Sequence, residues 1–159
     1  MSAFRDALTE AGFDDVRTYL QSGNAVLTST ARPDRVARTC KTIVADTFGL
    51  EVDVVVRRQA DLARIVRANP LGKIASDPKR YQVSFLASKP PAALVKRLEA
   101  ARAEPERLAV VGREIYAWHP AGVARSKLWT LLAGKDLGVT ATSRNWTTVT
   151  SLLELAKER

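Results

Sequence analysis

The amino-acid sequence predicts an α+β fold made of two halves that follow one plan. Amphipathic helical stretches alternate with short strand-like stretches along all 159 residues. Two pairs of strands flank short turns, which is typical of antiparallel hairpins. The order of elements in each half is a fragment of the βαββαβ unit of ferredoxin-like folds. We therefore expect two ferredoxin-like halves side by side, with the first strand of the first half missing.

The first half is predicted to cover residues 1–76. Glycines mark the ends of two helices at Gly12 and Gly49, and Ser22-Gly23-Asn24 has the residue types of a tight reversal. Asn69-Pro70 ends a third helix because a proline disfavours helical geometry in the residue before it. The predicted elements are a helix over 4–11, strands over 16–21 and 25–29, a helix over 33–48, a strand over 52–56 and a short helix over 61–69.

The second half is predicted to cover residues 77–159, after a loop that contains Gly72 and Pro78. The plan restarts here with a strand, and Pro90-Pro91 begins the helix that follows it. Gly112-Arg113 is the turn of a second hairpin. The predicted elements are a strand over 81–87, a helix from 90 to 101, strands over 108–111 and 114–118, a helix over 125–132 and an additional C-terminal helix from 146.

Composition excludes several classes of site. The chain has a single cysteine, Cys40, and a single histidine, His119, so it cannot form an internal disulfide or a zinc site built on thiolates or imidazoles. The sequence predicts no metal and no cofactor. No stretch approaches the roughly 20 apolar residues of a membrane span, and the first residues lack the apolar run of a signal peptide. We expect a cytoplasmic protein without a membrane partner.

The chain is basic, with a formal net charge of +8. Up to Ser76 there are 11 basic and 9 acidic residues, whereas after it there are 14 and 8, so the excess lies in the second half. Such an asymmetry is typical of proteins that bind a polyanion, including nucleic acid. A solvated surface in an arginine-rich protein is the alternative.

Several stretches together resemble the family known as domain of unknown function 1697. They are GFDDVRTYLQSGN at 12–24, ANP at 68–70, GREIY at 112–116, RSKL at 125–128 and TSRNWTTV at 142–149. The resemblance implies a fold of two ferredoxin-like halves. It transfers no catalytic role, because the family has no agreed mechanism.

Members of that family usually open with a strand followed by a glycine-rich loop and basic residues. The start of this chain, Met1 to Asp6, has no such pattern. We therefore expect either a start codon assigned too late or a truncated protein. Any function located in that loop would lie outside these residues.

The sharpest local pattern is Gly122-Val123-Ala124-Arg125-Ser126-Lys127, which places a hydroxyl and two cations where a helix is predicted to begin. Free backbone N–H groups at such a position favour an anion, and a phosphate is a reasonable guest. The alternative is that Ser126 caps the helix while Arg125 and Lys127 are solvated or paired. The pattern differs from the P-loop GxxxxGK[ST], so hydrolysis of a nucleoside triphosphate is not indicated.

Thr142 to Trp146 repeats this combination ahead of the last helix. If the two helix starts converge, Arg125, Lys127, Arg144 and Asn145 would surround one anion. An ordinary capping segment, with Trp146 as a core residue, is the alternative.

Three further residues are candidate ligand contacts. Ser22 and Asn24 could line a pocket through the turn that they share, although a turn that only closes the hairpin is the alternative. Strand alternation predicts that Tyr19 points away from Thr18 and Leu20, so its hydroxyl could contact a ligand on an open face.

Three other patterns favour a structural role. His119 is the only side chain that titrates near neutral pH, but no serine or cysteine partners it in sequence, so a surface histidine at a strand end is expected. Cys40 is expected to be a buried thiol. Tyr81 and Phe85 share a strand face that could stack bases as in RNA-recognition modules, although core packing is the favoured interpretation.

The sequence thus favours an uncharacterised module that binds a phosphate-bearing ligand, nucleotide or nucleic acid through its basic second half. The alternative is an enzyme that acts on a small anionic substrate between the halves, with Arg125, Lys127 and Arg144 orienting charge. Because no nucleophile or metal set is visible, the sequence does not decide whether the protein is an enzyme. A third possibility is a subunit whose open sheet edge pairs with another chain.

Overall fold

The computed structural model of the chain describes residues 2–19 and 23–158. Helices and antiparallel sheets alternate in these ranges, which confirms the α+β fold. The helices are α1 (Ser2–Glu10), α2 (Pro33–Phe48), α3 (Gln59–Ala68), α4 (Ala92–Ala101), α5 (Lys127–Ala133) and α6 (Trp146–Lys157). The strands are β1 (Asp14–Tyr19), β2 (Asn24–Thr28), β3 (Tyr81–Leu86), β4 (Arg107–Val111), β5 (Glu114–Trp118) and β6 (Ala141–Asn145).

The chain forms two compact units. The first comprises Met1–Ala63 with Thr150–Arg159, and the second comprises Arg64–Val149. The helices α3 and α6 therefore each contribute residues to both units. The predicted organisation into a half of 1–76 and a half of 77–159 stays a prediction.

The second unit contains a four-stranded antiparallel sheet in the order β4-β5-β3-β6. Together with α4 and α5 it forms a complete βαββαβ unit. One face of the sheet packs on these helices because Ile115 and Ala117 of β5 are fully buried against their leucines. The buried residues of this cluster are Leu86, Leu94, Leu98, Ile115, Ala117, Leu128, Leu132 and Leu137.

The other face of this sheet is aromatic and buried. The ring of Tyr81 stacks on that of Trp146, with centroids 4.8 Å apart. The hydroxyl of Tyr116 donates a hydrogen bond of 2.8 Å to the carbonyl oxygen of Ile65. Because Tyr81 is 1% exposed and Phe85 is 7% exposed, neither ring is available to stack a base. The core interpretation of this face is therefore the correct one.

The first unit pairs β1 with β2 in an antiparallel hairpin. Apolar side chains of α1 and α2 cover the hairpin and bury Leu8, Phe13, Val36 and Cys40. The helix α2 begins at Pro33, whose fixed backbone angle suits the first turn of a helix. It ends at Gly49, whose φ of 67° is in the left-handed region that glycine adopts without strain.

Two predicted elements differ from the structure. Residues 52–56 were expected to form a strand, but no strand is assigned there. Val54 and Val56 nevertheless pack against the hydrophobic cluster of the first unit. The segment has the side-chain pattern of a strand, but among the described residues no neighbouring strand pairs with it, and such pairing defines a strand.

The stretch 142–145 was expected to lead into a helix, but it belongs to β6. It pairs with β3 along its length, from Asn145 opposite Gln82 to Ala141 opposite Leu86. β6 lies at the edge of the sheet and all its residues are half-buried. A short polar edge strand of this kind lacks the apolar alternation on which a prediction from sequence depends.

Candidate functional site

A cavity of about 470 Å³ opens beside α5. Arg125 and Lys127 are exposed at this cavity, whereas Ser126 between them is buried. The cavity thus contains the sharpest pattern found in the sequence. Its lining residues are Ala124, Arg125, Ser126, Lys127, Thr130, Leu131, Gly134 and Asp136.

The two cations at this cavity have no carboxylate partner in the part of the chain that the structure describes. Within residues 2–19 and 23–158, Arg125 and Lys127 form no ion pair with a carboxylate. Asp136 is the acidic residue of the lining and is also exposed. Two positive groups and one negative group therefore face the same solvent-filled space.

A tight turn carries the chain from β5 to this cavity. The N–H of Gly122 donates to the carbonyl oxygen of His119 at 2.8 Å, and φ of Gly122 is 87°. A second short bond joins the N–H of Ser126 to the carbonyl oxygen of Val123 at 3.1 Å. Glycine is favoured at the left-handed position because a side chain there is strained.

Ser126 is the N-cap of α5. Its hydroxyl oxygen accepts a hydrogen bond of 3.0 Å from the backbone N–H of Trp129. Of the two interpretations that the sequence left open for Ser126, the cap is therefore the one that the structure contains. Arg125 and Lys127 stay available to a ligand, whereas the hydroxyl of Ser126 is already engaged.

The same hydroxyl belongs to a buried polar network with Glu106 and His119. The Ser126 hydroxyl donates to Oε2 of Glu106 at 2.5 Å, and Nδ1 of His119 lies 2.6 Å from the same oxygen. His119 is fully buried, and Glu106 and Ser126 are each 8% exposed. This Glu106–His119–Ser126 network ties the residue before β4 and the residue after β5 to the N-cap of α5.

The network holds Glu106 in its ionised form. Burial acts to raise the pKa of Glu106, but hydrogen bonds from Ser126, His119 and the backbone N–H of Ala103 outweigh it, so the pKa lies below its ordinary value. An ionised carboxylate only accepts hydrogen bonds. Nδ1 of His119 must therefore carry the proton that it shares with Glu106.

These three residue types also occur in hydrolytic triads, but their geometry differs here. In a triad the serine donates to Nε2 of the histidine, while the carboxylate accepts from Nδ1. In this protein Ser126 donates to the carboxylate itself, and Nε2 of His119 is buried without a hydrogen-bond partner among the described residues. Among the described residues, Ser126 therefore lacks the hydrogen bond to Nε2 of a histidine that activates the serine of a triad.

The expectation of a surface histidine was wrong, and Glu106 was missed altogether. The predicted hairpin contained the signal, because β4 pairs with β5 from Val111 opposite Glu114 to Arg107 opposite Trp118. One further step in this register places Glu106 beside His119. The approach of Ser126 depends on how α5 packs on the sheet, which no local pattern indicates.

Neither Arg144 nor Asn145 is among the residues that line the cavity with Arg125 and Lys127. The hydroxyl oxygens of Ser143 and Ser84 are 2.7 Å apart, so the two side chains lie on the same face of the sheet. Leu86 also lies on that face, and it packs in the hydrophobic cluster that includes α5. Since neighbouring strand residues point to opposite faces, Arg144 points away from α5. The hypothesis of one anion held by both segments is therefore not supported by this geometry.

Both residues have structural contacts of their own. The guanidinium of Arg144 donates to the carbonyl oxygen of Ser143 at 2.8 Å, and burial lowers its pKa. The side-chain oxygen of Asn145 accepts from the backbone N–H of Thr148 at 3.0 Å and caps α6.

The remaining predicted contacts lie in the first unit. Asn24 is 6% exposed, and its amide donates to the carbonyl oxygen of Tyr19 at 3.1 Å, so it closes the hairpin. Tyr19 is half-buried at the end of β1. Ser22 lies outside the described residues. Neither Tyr19 nor Asn24 lines the cavity beside α5, and whether Tyr19, Ser22 or Asn24 binds a ligand stays a prediction.

Two further findings concern residues 2–19 and 23–158. No group of three or more His, Cys, Asp or Glu side chains is placed to hold a metal ion. No helix in this part of the chain has the length and apolar character needed to cross a bilayer.

The thiol of Cys40 is buried, and burial raises its pKa to about 11.

Comparison with known proteins identifies a family and a fold. The conserved bacterial protein SP0830 from Streptococcus pneumoniae has a similar structure, with a TM-score of 0.77 and 17% sequence identity. The match covers 98% of this chain and 88% of that protein, and at this identity it shows the fold alone. No curated protein matches the chain.

The model of one protein family matches residues 1–116. The stretches at 125–128 and 142–149, which also suggested the family, lie beyond the matched range. Because the match covers well over half of the chain, the protein belongs to the family described as Protein of unknown function (DUF1697).

Proposed function

We propose that the protein binds a phosphate-bearing ligand at the cavity beside α5 through Arg125 and Lys127. The observation that carries this proposal is that both cations are exposed at one cavity without a carboxylate partner in the described part of the chain. A guanidinium binds phosphate oxygens through paired hydrogen bonds, and an ammonium adds a point charge. The excess of positive charge in the second half favours such a ligand. We also propose that the protein is cytoplasmic.

The Glu106–His119–Ser126 network supports this site by holding the backbone between the two cations. Ser126 is bonded on one side to Glu106 and on the other to Trp129. A fixed backbone reduces the conformational entropy that ligand binding must overcome. The alternative of an enzyme gains no support from the network, because its serine is not positioned as a nucleophile.

The test is a comparison of two double variants of equal charge. We expect Arg125→Ala/Lys127→Ala to weaken binding of ATP, ribose 5-phosphate or a single-stranded oligonucleotide, whichever stabilises the wild type. The loss should be about tenfold for each cation, which corresponds to about 1.4 kcal/mol. The control is Arg67→Ala/Lys73→Ala, which removes one guanidinium and one ammonium that are exposed and outside the cavity lining.

Binding is measured by isothermal titration calorimetry, after a thermal-shift screen selects the ligand. A ligand at a hundred times its Kd adds about 2.7 kcal/mol of stability, which is several degrees in Tm. Equal losses in the two double variants would show that only overall charge matters and would contradict the proposed site. If none of the three compounds stabilises the wild type, the proposal fails.

A further inference from the structure

The cavity beside α5 follows one face of that helix over its whole length. Four of its lining residues are spaced three or four positions apart, as residues on one helical face are: Lys127, Thr130, Leu131 and Gly134. The helix has 7 residues and is therefore about 10 Å long. The cavity is elongated, with the start of α5 at one end and the segment after α5 at the other.

The two ends of the cavity carry opposite charges. Arg125 and Lys127 lie at the start of α5, whereas Asp136 lies in the short 3-10 helix Lys135–Leu137 that follows it. All three charged residues are exposed. Among residues 2–19 and 23–158, the carboxylate of Asp136 forms no ion pair. The positive and negative groups thus share one cavity without neutralising each other.

A further cation lies close to Asp136 but binds its backbone. The guanidinium of Arg97 in α4 donates a hydrogen bond of 3.2 Å to the main-chain carbonyl oxygen of Asp136. In the described part of the chain Arg97 forms no ion pair with the carboxylate of Asp136. This hydrogen bond fixes the backbone at Asp136 while its carboxylate stays available to a ligand.

The middle of the cavity is apolar. Leu131 is half-buried and packs against the hydrophobic cluster of the second unit. The hydroxyl of Thr130 donates to the carbonyl oxygen of Ser126 at 3.0 Å, so its proton is already engaged. The part of a ligand that lies between the charged ends should therefore be apolar rather than rich in hydroxyl groups.

We propose that the ligand of this cavity is a small molecule with a phosphate group at one end, an ammonium group at the other and an apolar spacer between them. This inference rests on the proposed function, in which Arg125 and Lys127 bind the phosphate, and it adds that Asp136 binds the ammonium group. A second phosphate near Asp136 would meet a like charge, which disfavours polyanions. The volume of about 470 Å³ is in the range of sites for small molecules.

The test compares two phosphate esters of the same length and shape. In 4-aminobutyl phosphate the chain ends in an ammonium group, whereas in pentyl phosphate it ends in a methyl group. Isothermal titration calorimetry with the full chain should give a Kd about fivefold lower for the amino ester, which is the effect of one exposed ion pair. High salt should reduce this preference, because it screens exposed charges.

Asp136→Asn is the variant that locates the ammonium group. It should weaken binding of 4-aminobutyl phosphate about fivefold. It should bind pentyl phosphate at least as tightly as the wild type does, because a negative charge is removed from the cavity. A merely structural role of Asp136 would weaken binding of both esters. The variant should fold, since the exposed carboxylate has no ion pair in the described structure, and circular dichroism checks this.

The matched control is Asp46→Asn. Asp46 is an exposed residue of α2 outside the cavity lining, so its substitution removes the same charge elsewhere. The preference for the amino ester should be unchanged in this variant. Loss of the preference in both variants would show that overall charge sets it and would overturn the inference.

The two esters also separate this inference from the proposed function. If neither ester binds the wild type, the phosphate site fails and the inference fails with it. If both esters bind with equal Kd, the phosphate site stands and only the ammonium contact is overturned. A preference that persists in Asp136→Asn likewise overturns the contact with Asp136.

A lipid headgroup can present the same two charged groups, and a vesicle assay distinguishes it from a free small molecule. Vesicles that contain phosphatidylethanolamine should not sediment the protein. Sedimentation of the wild type but not of Asp136→Asn would assign the cavity to a membrane lipid and would overturn the proposal of a free ligand.

Discussion

Replacing Ser126 by alanine should destabilise the protein by about 3 kcal/mol. Loss of an N-cap hydroxyl costs about 1 kcal/mol. Loss of the hydrogen bond to the ionised carboxylate of Glu106 adds about 2 kcal/mol, in the range found for bonds to charged groups. The 2.5 Å separation and the burial of both residues place this bond among the strong ones. Because a domain is stable by only about 5–15 kcal/mol, the expected loss is large.

Urea unfolding followed by circular dichroism measures this loss. The midpoint should fall while the m-value is unchanged, because the surface exposed on unfolding stays the same. The corresponding decrease in Tm is about 6–12 °C for a chain of this size. Ser88→Ala is the matched control, since Ser88 is exposed and has no hydrogen bond in the described structure. It should change stability by less than about 0.5 kcal/mol. A similarly small loss of stability in Ser126→Ala would refute the stabilisation that we attribute to the hydrogen bonds of Ser126.

Three further outcomes are expected. The wild type should have a higher free energy of unfolding than Glu106→Gln at a pH above the unfolded pKa of Glu106, which is about 4.3. This difference should be lost as the pH falls through the lower pKa of Glu106 in the folded protein. A difference that stays constant from pH 7 to pH 3 would argue against this. Because burial raises the pKa of Cys40 to about 11, Ellman's reagent should label it slowly in the native protein and rapidly in guanidinium chloride; rapid native labelling would exclude a buried thiol. Gly49→Ala should cost about 1–2 kcal/mol through backbone strain alone, since φ is 67° and no atom lies within 4 Å of an added Cβ; Gly49→Asn should cost less, and the reverse order in urea midpoints would contradict the strain argument.

Much of the fold could be predicted from local pattern. The hairpin around Gly112 was placed to within a residue, because its alternation and turn residues are contiguous in sequence. The end of α2 was likewise predicted from Gly49. The start of α5 differed by two residues, because the helix was predicted from Arg125 and begins at Lys127, directly after its cap Ser126.

The candidate site was predicted in part. Arg125 and Lys127 were identified because hydroxyl and cationic residues cluster ahead of an apolar helix. The separation of Arg144 from these two residues was not predicted, since it depends on the face of β6 to which Arg144 points. The burial of His119 was missed for a related reason, because its partner Ser126 approaches only when α5 packs on the sheet.

The amino-acid sequence by itself determined the helices, the two hairpins and the basic character of this protein, because periodicity, turn residues and charge are local properties of a chain. Only the tertiary structure decided that 141–145 is a strand, that Ser126 is bonded to Glu106 and that 52–56 has no strand neighbour among the described residues. Each of these depends on a partner distant in sequence. A backbone or side-chain group acquires its role when that partner is packed against it, and no pattern within the segment specifies this.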